Sequence, residues 1–597
     1  MIAENYFSDD ADLKLIFDRL VDWSAVVPAY EGAEFFEHKQ YAESGDERFA
    51  LAPGSVEEAL ELYSSTLEAL GEFWGKEVSQ HSNELDKAGV SYGGDGKVNF
   101  DPQAIRLYET FRDTGLMPYA IPREAGGLGL PASMWAFYSM VMSRGDVSFC
   151  MTVNLLNLAQ IVGRYGTPEQ IERFAAPAAA GETLFAMALT EPDYGSDLSN
   201  VRTTATKQED GSYVLNGTKR FITQGCGLGP YPSIMLTLAR TGQPGARGLS
   251  TFLVNSKDVN VAGLEKKMGI HASPTCEIVF ENTPGELIGT EGQGLTKFTI
   301  GMTNFMRLGC AAGGAGAGAG SLQESLKYAR EREQFGKQIQ EIPIVGEMLD
   351  TLRRETNAMR LFALETAYAV DKSQPEQIRL EKSGKTDREI RKNEDIRAWL
   401  SLSALFTSLS KYYCSEKGVE CASIAVQIHG GAGYTEDYDV SRFFRDSRIN
   451  TIYEGTSQLH IGIASGAIVA GMAADGFLRR YFESVWQEID AQAPDFLRDM
   501  KAMLDEALPL YRDIPGGLRE RYAQALVDLT ARYMCSLLYE RALVRLEQSG
   551  GAPDHWESDA RAFQLDSAAQ VGACLYRIRH ATAARPAFEK KAAAAAG

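Results

Sequence analysis

The chain has 597 residues, with 60 Lys+Arg against 80 Asp+Glu, a formal charge of −20 and 44% hydrophobic residues. That length and apolar content suit several domains around a large core, and the acidic balance excludes a nucleic-acid binder built on a basic face. Cys150, Cys226, Cys276, Cys310, Cys414, Cys421, Cys535 and Cys574 are scattered, with no CxxC pair and no His/Cys cluster, which excludes a zinc or iron–sulfur site and a disulfide frame.

Residues 1–180 read as a helical domain with an extra N-terminal segment. Glu4, Asp9, Asp10 and Asp12 stand where a signal peptide carries bases, and no run approaches the roughly 20 apolar residues of a membrane helix, so a cytoplasmic protein without a membrane span is expected. Glu34–His38, Ser55–Trp74, Val98–Thr114, Met134–Gly145 and Leu155–Tyr165 carry apolar residues at helical spacing, and Ser55-Val-Glu-Glu is an N-cap signature. Pro122–Pro131 is a Gly/Pro loop.

Residues 181–293 change character. Short runs rich in Thr, Val, Ile and aromatics (Thr183–Thr190, Val201–Lys207, Tyr213–Leu215, Arg220–Thr223, Ile234–Arg240, Thr251–Val254, Glu277–Phe280) predict a central antiparallel β domain. Asn216-Gly217 between two of them is a hairpin signal.

The helical period returns in residues 294–473, over Lys297–Tyr328, Ile344–Val370, Asp395–Gly418, Cys421–His429 and Thr456–Met472. A charged stretch, 371–397, reads as a solvated excursion. Residues 474–597 form an additional helical domain with a charged face (Arg479, Arg480, Glu488, Asp490, Asp495, Arg498), ending in a Lys590-Lys591 and Ala-rich tail expected to fray. The glycine run Leu308–Ser321 misses the GxGxxG register and follows no strand, so it reads as a helix with a small-residue face packed closely by a neighbour.

Five polar motifs punctuate this frame. Thr190-Glu-Pro-Asp-Tyr-Gly-Ser-Asp197 and Phe221-Ile-Thr223 fall in loops or strand ends of the β domain; hydroxyls and free amides there suit a planar ring system, against which Phe221 can lie. Arg330–Lys337 ends a long helix, where the basic residues read either as complements to the helix dipole or, on a functional reading, as Arg332 holding a phosphate. Gln427-Ile-His-Gly-Gly-Ala-Gly-Tyr434 breaks a helix, as a tight turn or as a ligand contact. Ile452-Tyr-Glu-Gly-Thr-Ser-Gln458 precedes an apolar helix with Thr456 or Ser457 as N-cap.

Taken in order, TEPDYGSD, FIT, REREQFGK, QIHGGAGY and IYEGTSQ, with Lys267–Cys276 before the last strand, resemble the acyl-CoA dehydrogenase family over residues 95–470, and the long flanks resemble its branch of about 600 residues. The resemblance implies an α-helical N domain, a β-barrel or sandwich middle domain, a four-helix-bundle C domain and an extra C-terminal helical domain. It implies FAD-dependent α,β-dehydrogenation of an acyl-CoA thioester to the trans-2-enoyl-CoA. By motif position, Leu189, Thr190, Gly195, Ser196, Phe221, Thr223, Thr456 and Gln458 would contact FAD, and Arg332, Phe335, Gln427 and Gly431 would reach the FAD of a neighbouring subunit in a homodimer or homotetramer. Ser196, Asn304, Arg307, Tyr453 and Gly455 would meet the substrate. Phe221 stands where the family usually has Trp, and Asn304 where many relatives carry Asp.

Glu454 matches the catalytic base. Removing a proton from Cα while a hydride leaves Cβ for flavin N5 wants an anionic, desolvated carboxylate close by. The stretch Thr303–Arg307, where one subgroup carries its base, has no acid. An electron-transfer flavoprotein is the implied acceptor. An acyl-CoA oxidase reoxidised by O₂ is the alternative; a DNA-associated non-catalytic relative would want a basic C-terminal face, against the −20 charge.

Overall fold

The computed structural model of the chain describes residues 4–94 and 96–583, so the Lys590-Lys591 tail lies outside the described residues. The first third is helical: α1 (Ala11–Arg19), α2 (Trp23–Glu31), α3 (Phe36–Ser44), α4 (Val56–Phe73), α5 (Pro102–Asp113), α6 (Ala132–Gly145), α7 (Val147–Asn154) and α8 (Ala159–Tyr165). Local chemistry sets the boundaries. The Ser55 hydroxyl accepts from the Glu58 N–H and starts α4, and Asp101 followed by Pro102 starts α5. The helix expected from Val98 begins only there, because Lys97–Asn99 pairs with Ser91–Gly94 as a small hairpin.

Seven strands follow: β1 (Leu184–Ala188), β2 (Thr204–Lys207), β3 (Tyr213–Thr223), β4 (Ser233–Arg240), β5 (Leu249–Asn255), β6 (Asn260–Leu264) and β7 (Thr275–Leu287). They pair in the order β1-β4-β2-β3-β7-β5, β6 adds to β7, and β5 pairs back onto β4, so the sheet closes on itself around a core of its own that includes Leu215, Phe252 and Ile278. Most ladders are antiparallel; β1 runs parallel to β4, and β2 touches β4 in parallel through Thr204 and Arg240.

Asn216-Gly217 is not a hairpin turn. It lies inside the single strand β3, where the pairing with β7 shifts register between Leu215 and Gly217. Gly217 has φ +147°, and a Cβ there would come within 2.6 Å of the Thr203 Oγ1. With β2 on one edge and β7 on the other, the pair is absorbed as a bulge.

Five helices come next: α9 (Ile300–Glu331), α10 (Pro343–Lys382), α11 (Glu394–His429), α12 (Asp439–Ser447) and α13 (Ser457–Gly471). The glycine run is the contact face of α9. A Cβ on Gly314 would strike the Cys414 carbonyl at 2.2 Å, on Gly316 the Met140 carbonyl at 2.7 Å, and on Gly318 the Thr356 Oγ1 at 2.7 Å, so α11, α6 and α10 each approach it too closely for a side chain. That proximity offsets a helix cost of about 1 kcal/mol per glycine. Gly418 meets Gly314 in the same way, and α11 runs unbroken through the interval expected to separate two helices.

The charged stretch 371–397 is only partly an excursion. α10 continues through Pro375 to Lys382, and Asp371 is buried, accepting from the Ala132 N–H (2.6 Å), the Ser133 N–H (2.9 Å) and the Ser133 hydroxyl (2.7 Å) at the start of α6. The amides of a helix N-terminus offset part of the cost of burying this carboxyl, which burial still pushes up to about 7. The exposed part is the short segment around Gly384–Glu389 and 391–395.

Four long helices close the described chain: α14 (Phe477–Ile489), α15 (Asp495–Asp513), α16 (Ala523–Gln548) and α17 (Asp554–Arg579). Arg532 reaches Glu355 at 2.8 Å, Arg541 reaches Glu365, and Arg353 reaches Asp559 at 2.6 Å, all across the seam with α10. Asp12 of α1 accepts from Trp556 and His555 of α17, both at 2.8 Å. One apolar core therefore runs continuously from Tyr6 to Ala581. Among the described residues no helix is long and apolar enough to cross a membrane.

Candidate active site

Glu454 lies in the connection between α12 and α13 with φ +57°, left-handed backbone that costs a non-glycine residue about 1–2 kcal/mol. Three donors hold the turn. His460 Nε2 donates to the Glu454 carbonyl at 3.1 Å, Arg307 Nε reaches the same oxygen at 3.4 Å, and Lys411 Nζ donates to the Gly455 carbonyl at 2.6 Å. Gly455, at φ +102°, has no room for a Cβ, which would meet Leu459 at 2.8 Å and His460 at 3.0 Å. Thr456 caps α13 through the Leu459 N–H, while the Ser457 hydroxyl turns to Glu416.

No hydrogen bond to the Glu454 carboxylate exists among the described residues, and its N–H has no acceptor there either. Burial pushes the carboxyl up to about 7 against the opposing pull of Arg307 and Lys411. Burial lowers His460 to about 3, so it is a neutral donor at physiological pH. Asn304 accepts from Arg307 at 3.4 Å, and the Tyr453 hydroxyl donates to Asn450 at 2.7 Å and lies 3.8 Å from the Met151 sulfur.

The two β-domain motifs meet at one end of the barrel. The Arg220 N–H donates to the Thr190 carbonyl at 2.9 Å. Beneath them Lys219, fully buried, donates to the Leu189 carbonyl (2.9 Å) and to Glu191 (3.0 Å), whose carboxylate also accepts from the Arg202 and Thr203 amides. Gly195 and Ser196 are exposed on the same loop. Phe221 is 53% exposed at φ +62°, and Thr223 lies two residues on. Gln224 Nε2 then donates to Thr152 at 2.8 Å, and its neighbour Met151 touches Tyr453, so this end of the barrel abuts the Glu454 turn. The exposed Phe221 ring and the Glu454 turn thus belong to the same region of the molecule, linked through Gln224, Thr152, Met151 and Tyr453.

Arg332, Phe335, Gln427 and Gly431 lie elsewhere. Arg332 is 25 residues beyond Arg307 on or just past α9, about 37 Å along the axis. Tyr328 stacks on His429 at 4.3 Å, which brings the ends of α9 and α11 together there. Phe335 is 92% exposed and Tyr434 91%, a Cβ on Gly431 would meet nothing, and Arg332 and Gln427 are exposed without a side-chain partner among the described residues. Gln458 is exposed on the first turn of α13.

Sequence reasoning missed Lys411, His460, Lys219 and Glu191. Lys411 lies in a run rich in hydroxyls and Tyr, and Lys219 beside Arg220, and nothing in either stretch marks the lysine as fully buried until the helix and strand faces are known.

Three family models match the chain: the acyl-CoA dehydrogenase N-terminal domain over residues 64–182, the middle domain over 186–283, and the C-terminal domain over 292–387 and 391–469. The chain is 34% identical to 3-methylmercaptopropionyl-CoA dehydrogenase of Ruegeria pomeroyi over 67% of its own length and 71% of that protein. It is 33% identical to a subunit of the caffeyl-CoA reductase–Etf complex of Acetobacterium woodii, over 60% of its own length and 87% of that protein. Its fold matches an acyl-CoA dehydrogenase from Bacillus anthracis solved with FAD, at a TM-score of 0.71 and 23% identity, over 87% of this chain and 88% of that one. That coverage extends past the span of the family models, into the flanking helices.

Proposed function

The chain belongs to the acyl-CoA dehydrogenase family, an oxidoreductase family, and from that premise we propose that it removes the α-proton and β-hydride of an acyl-CoA thioester to give the trans-2-enoyl-CoA, with Glu454 as the base. One observation carries the assignment. Glu454 is a desolvated carboxylate with no hydrogen bond among the described residues, held near neutral pKa in a turn that three other side chains fix. Deprotonated, it takes the Cα proton. Its own N–H, free of any acceptor among the described residues, donates to the thioester oxygen as negative charge develops there. Arg307 and Lys411 pull the carboxyl back towards its ionised form against burial, which leaves it near 7, and His460 stays neutral and holds the peptide between Glu454 and Gly455.

FAD, when bound, supplies the acceptor for the β-hydride. Leu189, Thr190, Gly195, Ser196, Phe221 and Thr223 would hold it at the barrel end, with Thr456 and Gln458 beside α13. Arg332 and Phe335, just past the end of α9, and Gln427 and Gly431, at the adjoining end of α11, lie away from the Glu454 turn, and their exposure supports a role towards the FAD of a second copy, in a homodimer or homotetramer. Asn304, Arg307, Tyr453, Gly455 and Ser196 would meet the acyl-CoA. An electron-transfer flavoprotein is the acceptor we favour, as the name of the Acetobacterium relative suggests. Anaerobic titration of the holoenzyme with saturated acyl-CoA thioesters should bleach the flavin, and reoxidation should need an electron-transfer flavoprotein. Rapid peroxide release in air would make it an oxidase, and no bleaching by any thioester would end the dehydrogenase reading.

A further inference from the structure

A small cavity that reaches the Glu454 turn at Tyr453 is lined also by Tyr119, Trp135, Met151, Phe305 and Cys310, with a volume of about 20 Å³, room for one or two water molecules. A second cavity of about 290 Å³ lies on the other side of Trp135 and Phe305, which line both. The two rings meet edge to face, with centroids 5.0 Å apart and planes at 79°. They form the partition between the two spaces.

The second cavity is walled by Phe36, Ile161, Val370, Pro375 and Ile378 as well as that pair. Phe36, 55% exposed, belongs to α3, and Tyr30 of α2 lines the same space; both lie before residue 64, where the family model begins. The charges at its rim are already engaged. Arg123 holds Glu31 and Glu37, Lys382 holds Glu124, Arg164 holds Glu381, and Arg379 holds Glu376 and the Ala29 and Tyr30 carbonyls. Asp371 is committed to the first amides of α6. No lining cation is left over for a charged tail, and apart from Gln160 and Gln374 the rest of the wall is mostly apolar side chains and glycines, so the chemistry fits methylenes.

The two rings are not held alike. Trp135 is pinned, its Nε1 donating to the Leu130 carbonyl at 2.7 Å. Phe305 is held by packing alone, close to the start of α9, which follows the wide-turned segment Gly294–Thr299. Phe305 is therefore the leaf that can turn.

We propose that the Phe305 ring is a movable partition against Trp135, and that the space behind it, completed by α2 and α3, takes the distal end of long straight acyl chains. The inference rests on the acyl-CoA reading of the Glu454 site and names the substrate class for it.

Gly301 offers the test. It lines the second cavity, and a Cβ there would make only ordinary contacts, 3.7 Å from Ile161 and 4.0 Å from the Tyr165 hydroxyl. Gly301→Leu adds apolar bulk at the wall of that space from a helical position whose Cβ meets only ordinary contacts. The measurement is anaerobic flavin reduction by the holoenzyme with butyryl-CoA and palmitoyl-CoA. In Gly301→Leu the ratio of kcat/KM for palmitoyl-CoA over butyryl-CoA should fall by about tenfold or more, and in Phe305→Ala it should rise by about threefold, the range that a few methylenes in a pocket command. Ratios unchanged in both variants, or falling in both, would overturn the proposal while leaving butyryl-CoA dehydrogenation standing. Failure of wild-type flavin to bleach with either thioester would overturn the dehydrogenase reading and this inference with it.

Discussion

At the seam between α10 and the C-terminal helices, Glu355 is buried and accepts from Arg532 at 2.8 Å and from the Tyr413 hydroxyl at 3.0 Å. Near the start of α13, Glu454 is also desolvated, with Arg307 and Lys411 close by, yet nothing described donates to its carboxylate. Burial pushes both carboxyls up. At Glu355 the arginine, Lys417 and the hydrogen bonds more than reverse that, and its pKa falls below the ordinary range. At Glu454 the cations are spent on neighbouring carbonyls, and the group is left near 7. The same ingredients give a structural clamp where the pairing is direct and a reactive base where it is withheld. A raised value alone does not separate them: burial pushes Asp371 and Asp446 to about 7 as well, but both accept backbone amides and are thereby committed to holding α6 and the Ile270 turn.

Exchanging each carboxylate for its amide tests that contrast most sharply. Glu454→Gln should slow flavin reduction by about 10²–10⁴ or more, the range of a general base with no substitute, with no loss of thermal stability; stopped-flow rates within a few-fold of wild type would remove it from the mechanism. Glu355→Gln should do the reverse, lowering the melting temperature and leaving the reduction rate of the folded protein alone.

Breaking the clamp from its other side gives the next largest effect. Arg532→Met strips Glu355 of its direct ion pair and leaves it the Tyr413 hydroxyl and Lys417 at 3.9 Å, at a cost of about 3–5 kcal/mol, and adding Glu355→Leu should recover most of it. Denaturant unfolding of the two variants decides this, and a single variant as stable as wild type would make the seam a surface contact.

Arg332→Ala probes a third arrangement, an exposed cation with no described partner. If it holds a cofactor phosphate across a subunit boundary, FAD should bind more weakly by about 1.5–3 kcal/mol, measured by titrating the apoprotein. Unchanged affinity would detach the patch from the cofactor.

The smallest effect is a displacement in pH. The rate of flavin reduction should rise through a midpoint near 7 as Glu454 loses its proton. Lys411 favours the carboxylate, so Lys411→Met should move that midpoint upward. A downward move would mean that Lys411 does not act on Glu454 through its charge.

Much of the site was legible in the sequence because it consists of local chain geometry. A Glu-Gly pair before a capping Thr, a Thr-Glu-Pro loop and a Phe-Ile-Thr strand end carry their own turn and cap chemistry. The glycine run of α9 was legible as a packing face for the same reason: its register excluded a phosphate loop and left close helix contact.

What stayed illegible depends on partners far apart in the chain. Asn216-Gly217 is a turn in isolation, and becomes a bulge only because strands flank it on both edges. Residues 371–382 look solvated by composition, until α6, 238 positions away from Asp371, supplies amides for its carboxylate. Glu355 and Arg532, 177 residues apart, carry no mark of each other. The sequence marks Glu454 by the motif around it, while Glu355, set between Arg354 and Thr356, reads as an ordinary solvated acid. Composition and spacing determined which elements form and where the polar motifs fall. Tertiary packing decided which buried charges are paired, because desolvation and direct contact are properties of the folded interior and exist only once it is assembled.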